Sequence, residues 1–280
     1  MKKILIPTDF SGNSKSGIHY AMKWSSVHKI ELVFIHVIHL SRPVRWSDSR
    51  FKAYADDETA KYLSRLEKFI TAEFKNMKIK PGKHSFVIQQ GINATKSILD
   101  YCRNNNDIDC ICISTKGASK YDKYLGTNTG NLITKSKIPV LAIPKNYKAG
   151  SITKILYASD FKNYTKELDK VLAFALPFKA PVDVLHFSVP DELLLDEKTI
   201  ETVSKKKYKH GVTVHVEKNP AIHSLLKNLL KQIKKRNPSI VIMFTNQERT
   251  FFQKLIHSSK TEALSFQLKT PLMVFNKTSV

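Results

Sequence analysis

Short apolar runs alternate along the chain with longer segments whose apolar residues recur at helical spacing. In the first half the runs predict five strands, at Lys3–Pro7, Glu31–Val37, His84–Gln89, Asp109–Ile113 and Pro139–Ile143. The second of these is almost continuously apolar, which is typical of a strand buried on both faces. The segments between them predict helices over about 11–27, capped by Ser11 or Asn13, and about 51–77, 93–103 and 127–137. This alternation predicts an α/β fold with a parallel, doubly wound sheet.

The second half of the chain repeats the first. Lys3-Ile-Leu-Ile-Pro-Thr-Asp-Phe10 recurs as Lys154-Ile-Leu-Tyr-Ala-Ser-Asp-Phe161, and His36 and His186 end matching strands. Strands are predicted at 153–158, 182–187, 211–217, 239–244 and 271–275, with a shortened second helix. Repetition on this scale predicts two similar domains, which we place at 1–146 and 152–280.

The composition narrows the classes of protein. The chain contains no run of eighteen apolar residues, and its N-terminal apolar run is too short for a signal peptide, so we expect a cytoplasmic protein without a membrane span. Cys102, Cys110 and Cys112 form no disulfide framework, and we expect the last two to be reduced core residues of one strand. We identify no catalytic residue and no metal site from motif spacing.

The net charge of +22 is the most unusual bulk property. It favours anionic ligands. Lysine outnumbers arginine 39 to 7, however, and the lysines are spread along the chain. Proteins that read nucleic-acid sequence depend more on arginine, so the composition disfavours a nucleic-acid partner. The basic run Lys231–Arg236 is interpreted as a helix C-terminus, where cations suit the helix dipole.

The segment between Ile113 and Asn128 follows a buried strand and opens a helix. Gly117 would allow the backbone to approach a phosphate closely, and Gly126-Thr127-Asn128 would present free N–H groups at a helix N-terminus. An ordinary glycine-containing turn with Thr127 as helix N-cap explains the same residues. Ligands of such sheets lie at the carboxyl ends of the strands, where Pro7, Thr8 and Asp9 are also expected.

Three segments resemble the universal stress protein family: the strand end Ile-Pro-Thr-Asp9-Phe-Ser, the loop from Gly117 to Thr127, and the closing Ser136-Lys-Ile-Pro-Val-Leu-Ala-Ile-Pro144. The whole chain resembles the tandem form of that family. The resemblance implies two five-stranded, nucleotide-binding alpha-hydrolase-like sheets related by a pseudo-two-fold axis, and an adenine nucleotide, ATP with magnesium or another. Carried over by position, the implied site residues are Pro7, Thr8, Asp9, Val37, Ile113, Gly117, Gly126, Thr127 and Asn128.

The chain departs from the family's glycine pattern in both halves. In the first half Ser114 stands at the first glycine position, and eight residues instead of nine separate Gly117 from Gly126. In the second half Phe244, Gln247 and His257 replace all three glycines. A Cβ at a phosphate-binding turn removes both conformational freedom and close approach, so we expect nucleotide binding in the first half and not in the second.

Three functional hypotheses follow. The first is a non-catalytic stress-response or regulatory protein that binds an adenine nucleotide in its N-terminal domain. The second is a scaffold for an unidentified protein partner that has lost nucleotide binding, and the third is a slow ATP-hydrolysing enzyme. The resemblance also implies that the fifth strands of the two halves pair within the molecule as a pseudo-dimer, and it is compatible with a homodimer. His36 and His186, at equivalent strand ends, are interpreted as structural residues.

Overall fold

The structure is a computed structural model that describes residues 1–115, 127–161, 163–188, 202, 211–218, 225–245 and 269–276. These residues form two compact units, which divide at Ala149–Gly150. Each unit is built on a parallel five-stranded sheet, as the sequence predicts.

The first unit alternates strands and helices. In chain order its elements are β1 (Lys3–Pro7), α1 (Lys15–Val27), β2 (Glu31–Ile38), α2 (Asp48–Met77), β3 (His84–Gln90), α3 (Ala94–Asn104), β4 (Cys110–Ser114), α4 (Thr127–Lys135) and β5 (Val140–Ile143). The strand order is β3-β2-β1-β4-β5, and the paired strands are parallel. The chain crosses from one side of β1 to the other after β3, so a crevice is expected where β1 and β4 diverge at their carboxyl ends.

The second unit has the same strand arrangement. Its elements are β6 (Ile155–Ser159), α5 (Tyr164–Ala175), a single 3₁₀ turn (Leu176–Phe178), β7 (Val182–Ser188), β8 (Val212–Lys218), α6 (Leu225–Arg236), β9 (Ile240–Thr245) and β10 (Leu272–Asn276). The order is β10-β9-β6-β7-β8, again with parallel pairs. The predicted shortening of the helix between β7 and β8 lies outside the described residues.

In the first unit, side chains near the start of each helix help to determine the residue at which it begins. The N-cap position of α1 is Ser14, so the prediction of Ser11 or Asn13 as its cap is wrong. The Ser14 hydroxyl donates to the Ser11 carbonyl and caps no backbone N–H of the helix. α2 begins three residues earlier than predicted, because the Ser47 side chain accepts a hydrogen bond from the Arg50 N–H and caps it. Asn93 caps α3 as expected, accepting from the Lys96 N–H.

The cores are made by the strands predicted to be buried. Ile4, Leu5 and Ile6 of β1 are buried, and the four residues of β5 are buried as well. Cys102, Cys110 and Cys112 are buried free thiols, which agrees with the sequence prediction for Cys110 and Cys112. Burial raises the pKa of Cys102 to about 12, so this thiol is protonated at neutral pH. In the described part of the chain no helix is long and apolar enough to cross a membrane.

A buried carboxylate fastens α2 to α1. The Glu73 side chain is 4% exposed, and its oxygens lie 2.8 Å from Lys15 Nζ and 2.6 Å from His19 Nε2. Burial acts to raise the pKa of Glu73, but the hydrogen bonds from Lys15 and His19 outweigh it and leave the pKa below its ordinary value. The contacts therefore favour the ionised carboxylate, and α2, which contributes Phe69 and Tyr62 near the strand ends, is held to α1 by charge.

Replacing Glu73 with Gln is expected to lower the free energy of unfolding by about 1–3 kcal/mol at pH 7, because two charge-assisted hydrogen bonds are lost. The native pKa is depressed, so this contribution is present above the ordinary pKa of 4.5 and is lost as the pH falls through the native value. Urea unfolding of both proteins across this pH range measures the difference. Glu67→Gln, on an exposed position of α2, is the control; equal effects of the two substitutions contradict the assignment.

Candidate functional site

A crevice opens at the carboxyl ends of β1, β2 and β4 in the first unit. It encloses about 150 Å³, several times the ~30 Å³ that one water molecule occupies in the liquid, so it can admit part of a small molecule. Its lining comprises Pro7, Thr8, Asp9, Ser11, Asn13, Ser14, Ile35, His36, Val37, Ala94, Ile98, Ile113, Ser114, Asn128 and Thr129. The lining combines aliphatic residues with residues that carry hydroxyl, amide and carboxylate groups.

The turn after β1 fixes Asp9 at the mouth of the crevice. The Thr8 N–H donates to the Ile35 carbonyl (2.9 Å), which continues the ladder between β1 and β2. The Thr8 hydroxyl accepts from the Phe10 N–H (3.1 Å) and is hydrogen-bonded to the Ser14 hydroxyl (2.9 Å). Asp9 Oδ1 accepts from the Ser11 N–H at 3.0 Å, a common turn closure for aspartate. Asp9 is nevertheless exposed, so its carboxylate is both oriented and accessible to a ligand.

Phe10 has a left-handed backbone with φ of 62°, and its ring is held from two sides. The ring centroid lies 4.3 Å from that of His36 on β2 and 4.5 Å from the guanidinium carbon of Arg65 on α2. His36 in turn stacks against Tyr62, with centroids 5.4 Å apart. These contacts offset the strain of a positive φ at a non-glycine residue, and they join the end of β1 to α2.

The His36 ring is positioned by its backbone contact. Nδ1 lies 2.7 Å from the Thr8 carbonyl oxygen, which can only accept, so Nδ1 carries the proton. Burial lowers the pKa of His36, and this effect exceeds the opposite influence of the bond to Thr8. The imidazole is therefore neutral at pH 7. The hydrogen bond and the packed ring faces agree with the structural role predicted for His36 from the sequence.

Ser114 occupies the first glycine position of the family pattern, and α1 holds its side chain. The Ser114 hydroxyl accepts from the Gly17 N–H (2.7 Å) and donates to the Ser14 carbonyl (2.9 Å). Gly17 makes this approach possible, because a Cβ built there would lie 3.0 Å from both the nitrogen and the hydroxyl of Ser114. The glycine missing from β4 is thus matched by a glycine on the facing helix.

The first turn of α4 forms another side of the crevice. Asn128 is exposed, and its side-chain oxygen accepts from the Thr95 hydroxyl at 3.2 Å. The Thr129 hydroxyl donates to the Ser114 carbonyl at 3.2 Å, which fixes the helix start beside β4. The first turn contains no acidic residue, so its N–H groups and the positive end of the helix dipole are compatible with an anion.

The second unit keeps the strand-end turn and changes the rest. Phe161 has φ of 57°, and its ring lies 4.4 Å from that of His186. His186 Nδ1 is 3.0 Å from the Ser159 carbonyl oxygen. Phe244, at the first glycine position, is buried, with its ring centroid 5.7 Å from that of Tyr157 and 5.0 Å from that of Phe275. Its bulk is therefore part of the core of this unit.

The structure brings together most of the residues that the sequence singles out. Pro7, Thr8, Asp9, Val37, Ile113 and Asn128 all line the crevice. Thr127 begins α4, whereas Gly117, Gly126, Gln247 and His257 lie outside the described residues. Sequence reasoning did not identify Ala94, Ile98 and Thr129 as lining residues. Ala94 and Ile98 could have been found from the sequence, because Asn93 marks the capped start of a helix that directly follows a strand.

Comparison with known proteins identifies the same fold. The sequence model of the universal stress protein family matches residues 1–144. No significant match occurs among curated proteins. A universal stress protein from Archaeoglobus fulgidus DSM 4304 is similar in structure, with a TM-score of 0.68 and 20% identity over 98% of this chain and 96% of that chain. A functionally unknown protein from Pseudomonas aeruginosa PAO1 has a TM-score of 0.59 and 16% identity over 99% of this chain and 92% of that chain.

Replacing Gly17 with Ala is expected to destabilise the protein by ~1–3 kcal/mol, because the added methyl group meets backbone that cannot withdraw. Without that contact the same change in a helix would be stabilising by up to ~1 kcal/mol. Gly12→Ala is the control, since nothing lies within 4 Å of a Cβ at Gly12. Denaturant unfolding of the two variants measures the difference. A Gly17→Ala protein as stable as the parent contradicts the close approach of α1 to β4.

Proposed function

The chain belongs to the universal stress protein family, and we propose that it is a non-catalytic regulatory protein of the stress response that binds an adenine nucleotide in its first unit. The observation that carries the proposal is the crevice at the ends of β1, β2 and β4. It combines an accessible aspartate, aliphatic lining residues and a helix N-terminus within one unit.

The residues of the crevice fit the parts of a nucleotide. The partly exposed Val37, with Ile98 beside it in the lining, offers an apolar surface of the kind that a purine ring packs on. The Asp9 carboxylate is an acceptor for ribose hydroxyl groups or for an exocyclic amine. The first turn of α4, at Asn128, would hold the phosphates by its N–H groups. Magnesium, if it accompanies ATP, would supply further neutralisation of the phosphates.

Ser114 does not argue against this ligand. A serine at a phosphate-binding turn is expected to obstruct the backbone, but its hydroxyl is bonded to Gly17 and Ser14 of α1. The substitution is therefore compatible with an open crevice. The side chain that replaces the glycine is thus accommodated by α1, and Ser114 and the neighbouring Ile113 still line the crevice.

A binding role is favoured over a catalytic one by the chemistry of the lining. Among the described lining residues Asp9 and His36 are the only acid and the only histidine. His36 uses its Nδ1 proton on the Thr8 carbonyl and is packed between two rings. Asp9 is oriented by the backbone turn, with no adjacent serine or threonine hydroxyl bonded to its carboxylate in the described part of the chain. Such a site can hold a ligand, and general acid–base chemistry would depend on Asp9 alone.

The second unit supports a different role. Phe244 fills its first glycine position and packs against Tyr157 and Phe275, so we propose that this unit does not bind a nucleotide in the manner of the first. Its contribution would be to contact a protein partner. If the first unit also proves empty, the whole chain is better explained as an interaction scaffold.

Asp9→Ala is expected to weaken binding of an adenine nucleotide at least tenfold, about 1.4 kcal/mol, because hydrogen bonds to a charged group are lost. Asp160→Ala, the equivalent change in the second unit, is the matched control and is expected to leave the affinity unchanged. Isothermal titration with ATP and AMP, with and without magnesium, measures both variants after bound nucleotide has been removed and quantified.

Three results would contradict parts of this proposal. Two nucleotides per chain would contradict the exclusion of the second unit by Phe244. No bound nucleotide, together with no heat of binding, would leave the scaffold as the function. Magnesium-dependent turnover that Asp9→Ala abolishes would make the protein an enzyme.

Asn128→Asp is expected to weaken ATP more than AMP, since a carboxylate at the start of α4 repels each added phosphate. Asn128→Ala removes the same amide without adding charge and is expected to affect both nucleotides by a similar factor. Their affinities, measured by competition with a fluorescent adenine nucleotide, locate the phosphate end of the ligand. Equal losses of ATP and AMP in the aspartate variant would place the phosphates elsewhere.

A further inference from the structure

Helix α6 of the second unit has two faces of opposite character. Its sequence, Leu225-Leu-Lys-Asn-Leu-Leu-Lys-Gln-Ile-Lys-Lys-Arg236, contains no acidic residue. At 3.6 residues per turn, Lys227, Lys231, Lys234 and Lys235 fall within an arc of about 100° and extend over about 12 Å. All four are exposed, whereas Leu229 and Gln232, on the opposite side of the helix, are buried. The helix therefore presents one continuous lysine face.

The acidic residues that the structure describes in this unit do not accompany those lysines at the surface. Over the described ranges of the second unit, Glu167 and Asp183 are buried, and Asp160, Asp169 and Glu217 are only partly exposed, whereas seven lysines are exposed. The first unit differs, because it exposes acidic residues, among them Asp56, Asp57 and Glu67. Both units expose more cations than acids, but in the described part of the second unit the exposed lysines have no exposed acid among them.

The single arginine of α6 is used inside the unit. Arg236 lies 3.2 Å from Glu217 and 3.9 Å from Asp183, and it also donates to Gln232. Its side chain is 11% exposed. The cations left on the outer face are lysines, which bind phosphates as point charges and lack the planar fork with which arginine reads base edges.

The lysine face works against the stability of the helix. Lys227 and Lys231 are four residues apart, as are Lys231 and Lys235, and like charges at that spacing repel. The helix is held instead by burying Leu229 against the unit. A polyanion lying along the face would relieve the repulsion, so the face is suited to bind one.

We propose that the outer face of α6 binds the phosphate backbone of nucleic acid, without regard to base sequence. The ligand chemistry is a regular line of phosphates, which lysines neutralise with release of counterions. RNA and DNA share this chemistry. Because the exposed cations are lysines and not arginines, the binding supplies affinity and positioning but not sequence reading.

Other anionic partners fit the face less well. A helix that enters a membrane surface needs exposed apolar side chains, and the large hydrophobic residues exposed in the described chain, Met1, Val27, Val44, Ile92 and Leu176, are not on α6. Stable protein interfaces likewise bury an apolar or aromatic centre, which the outer face of α6 does not offer. A purely ionic contact is what a nucleic-acid backbone requires.

The test compares two triple variants with the same net charge. Lys227→Glu, Lys231→Glu, Lys235→Glu changes the face, and Lys29→Glu, Lys80→Glu, Lys137→Glu changes exposed lysines of the first unit; each lowers the net charge from +22 to +16. Binding of labelled duplexes of about 30 base pairs, roughly three turns, is measured by fluorescence anisotropy over a range of salt concentrations. DNA and RNA duplexes are run side by side, each in two unrelated sequences.

The α6 variant is expected to lose at least tenfold in affinity and to reduce the salt slope by about three, one for each lysine. The control variant is expected to stay within about twofold of the parent protein, and the two sequences are expected to bind equally. A third variant, Lys227→Gln, Lys231→Gln, Lys235→Gln, separates lost attraction from added repulsion, and circular dichroism checks that the helix content of each variant equals that of the parent protein. Equal losses in the two glutamate variants would overturn the proposal. So would no binding by the parent protein, or tighter binding to vesicles of phosphatidylserine and phosphatidylcholine than to either duplex.

Discussion

The turn after the first strand of each unit is the constraint on which each strand-end site depends. Phe10 and Phe161 both adopt positive φ, which costs a non-glycine residue about 1–2 kcal/mol. In both units the N–H of the phenylalanine donates to the hydroxyl two residues earlier, and its ring packs against a histidine of the neighbouring strand. That histidine is bonded to the carbonyl of the same hydroxyl residue. The aspartate between them is therefore fixed by contacts from two strands.

The first unit extends this fixed turn into a crevice by packing α1 closely on β4. Gly17 admits the Ser114 hydroxyl to the start of α1, and the Thr129 hydroxyl ties the start of α4 to the Ser114 carbonyl. A single residue at the end of β4 thus sets the positions of two helix starts. Glu73 contributes by holding α2 to α1 through its ion pairs. Helix α2 in turn places Tyr62 against the His36 ring and Arg65 over the Phe10 ring. The crevice is a product of these contacts between helices and strand ends.

The strands could be predicted because a parallel strand buried on both faces is apolar almost throughout. β1 has the predicted bounds, and β2 and β3 extend one residue beyond them. What could not be predicted rests on contacts between residues distant in sequence. From the sequence, Ser114 suggested an obstructed site. In the structure the N–H of Gly17, 97 residues earlier, donates to the Ser114 hydroxyl and holds that side chain against α1.

The second unit shows why loss of the glycine pattern has opposite results in the two halves. Tyr157 stands where the first unit has Ile6, and its hydroxyl donates to the buried Glu167 at 2.5 Å. The Ser159 hydroxyl donates to Tyr157, and the Phe244 ring packs on the same tyrosine. These residues depend on one another, since removing the Phe244 ring would leave a cavity beside a hydroxyl already bonded elsewhere. In the first unit Ser114 packs against Gly17, and the crevice beside it is compatible with a ligand. In the second unit Phe244 packs on Tyr157, whose hydroxyl is bonded to Glu167, so the equivalent position belongs to the core. Two copies of one fold can therefore keep the same strand-end turn and still differ in the residues packed around it.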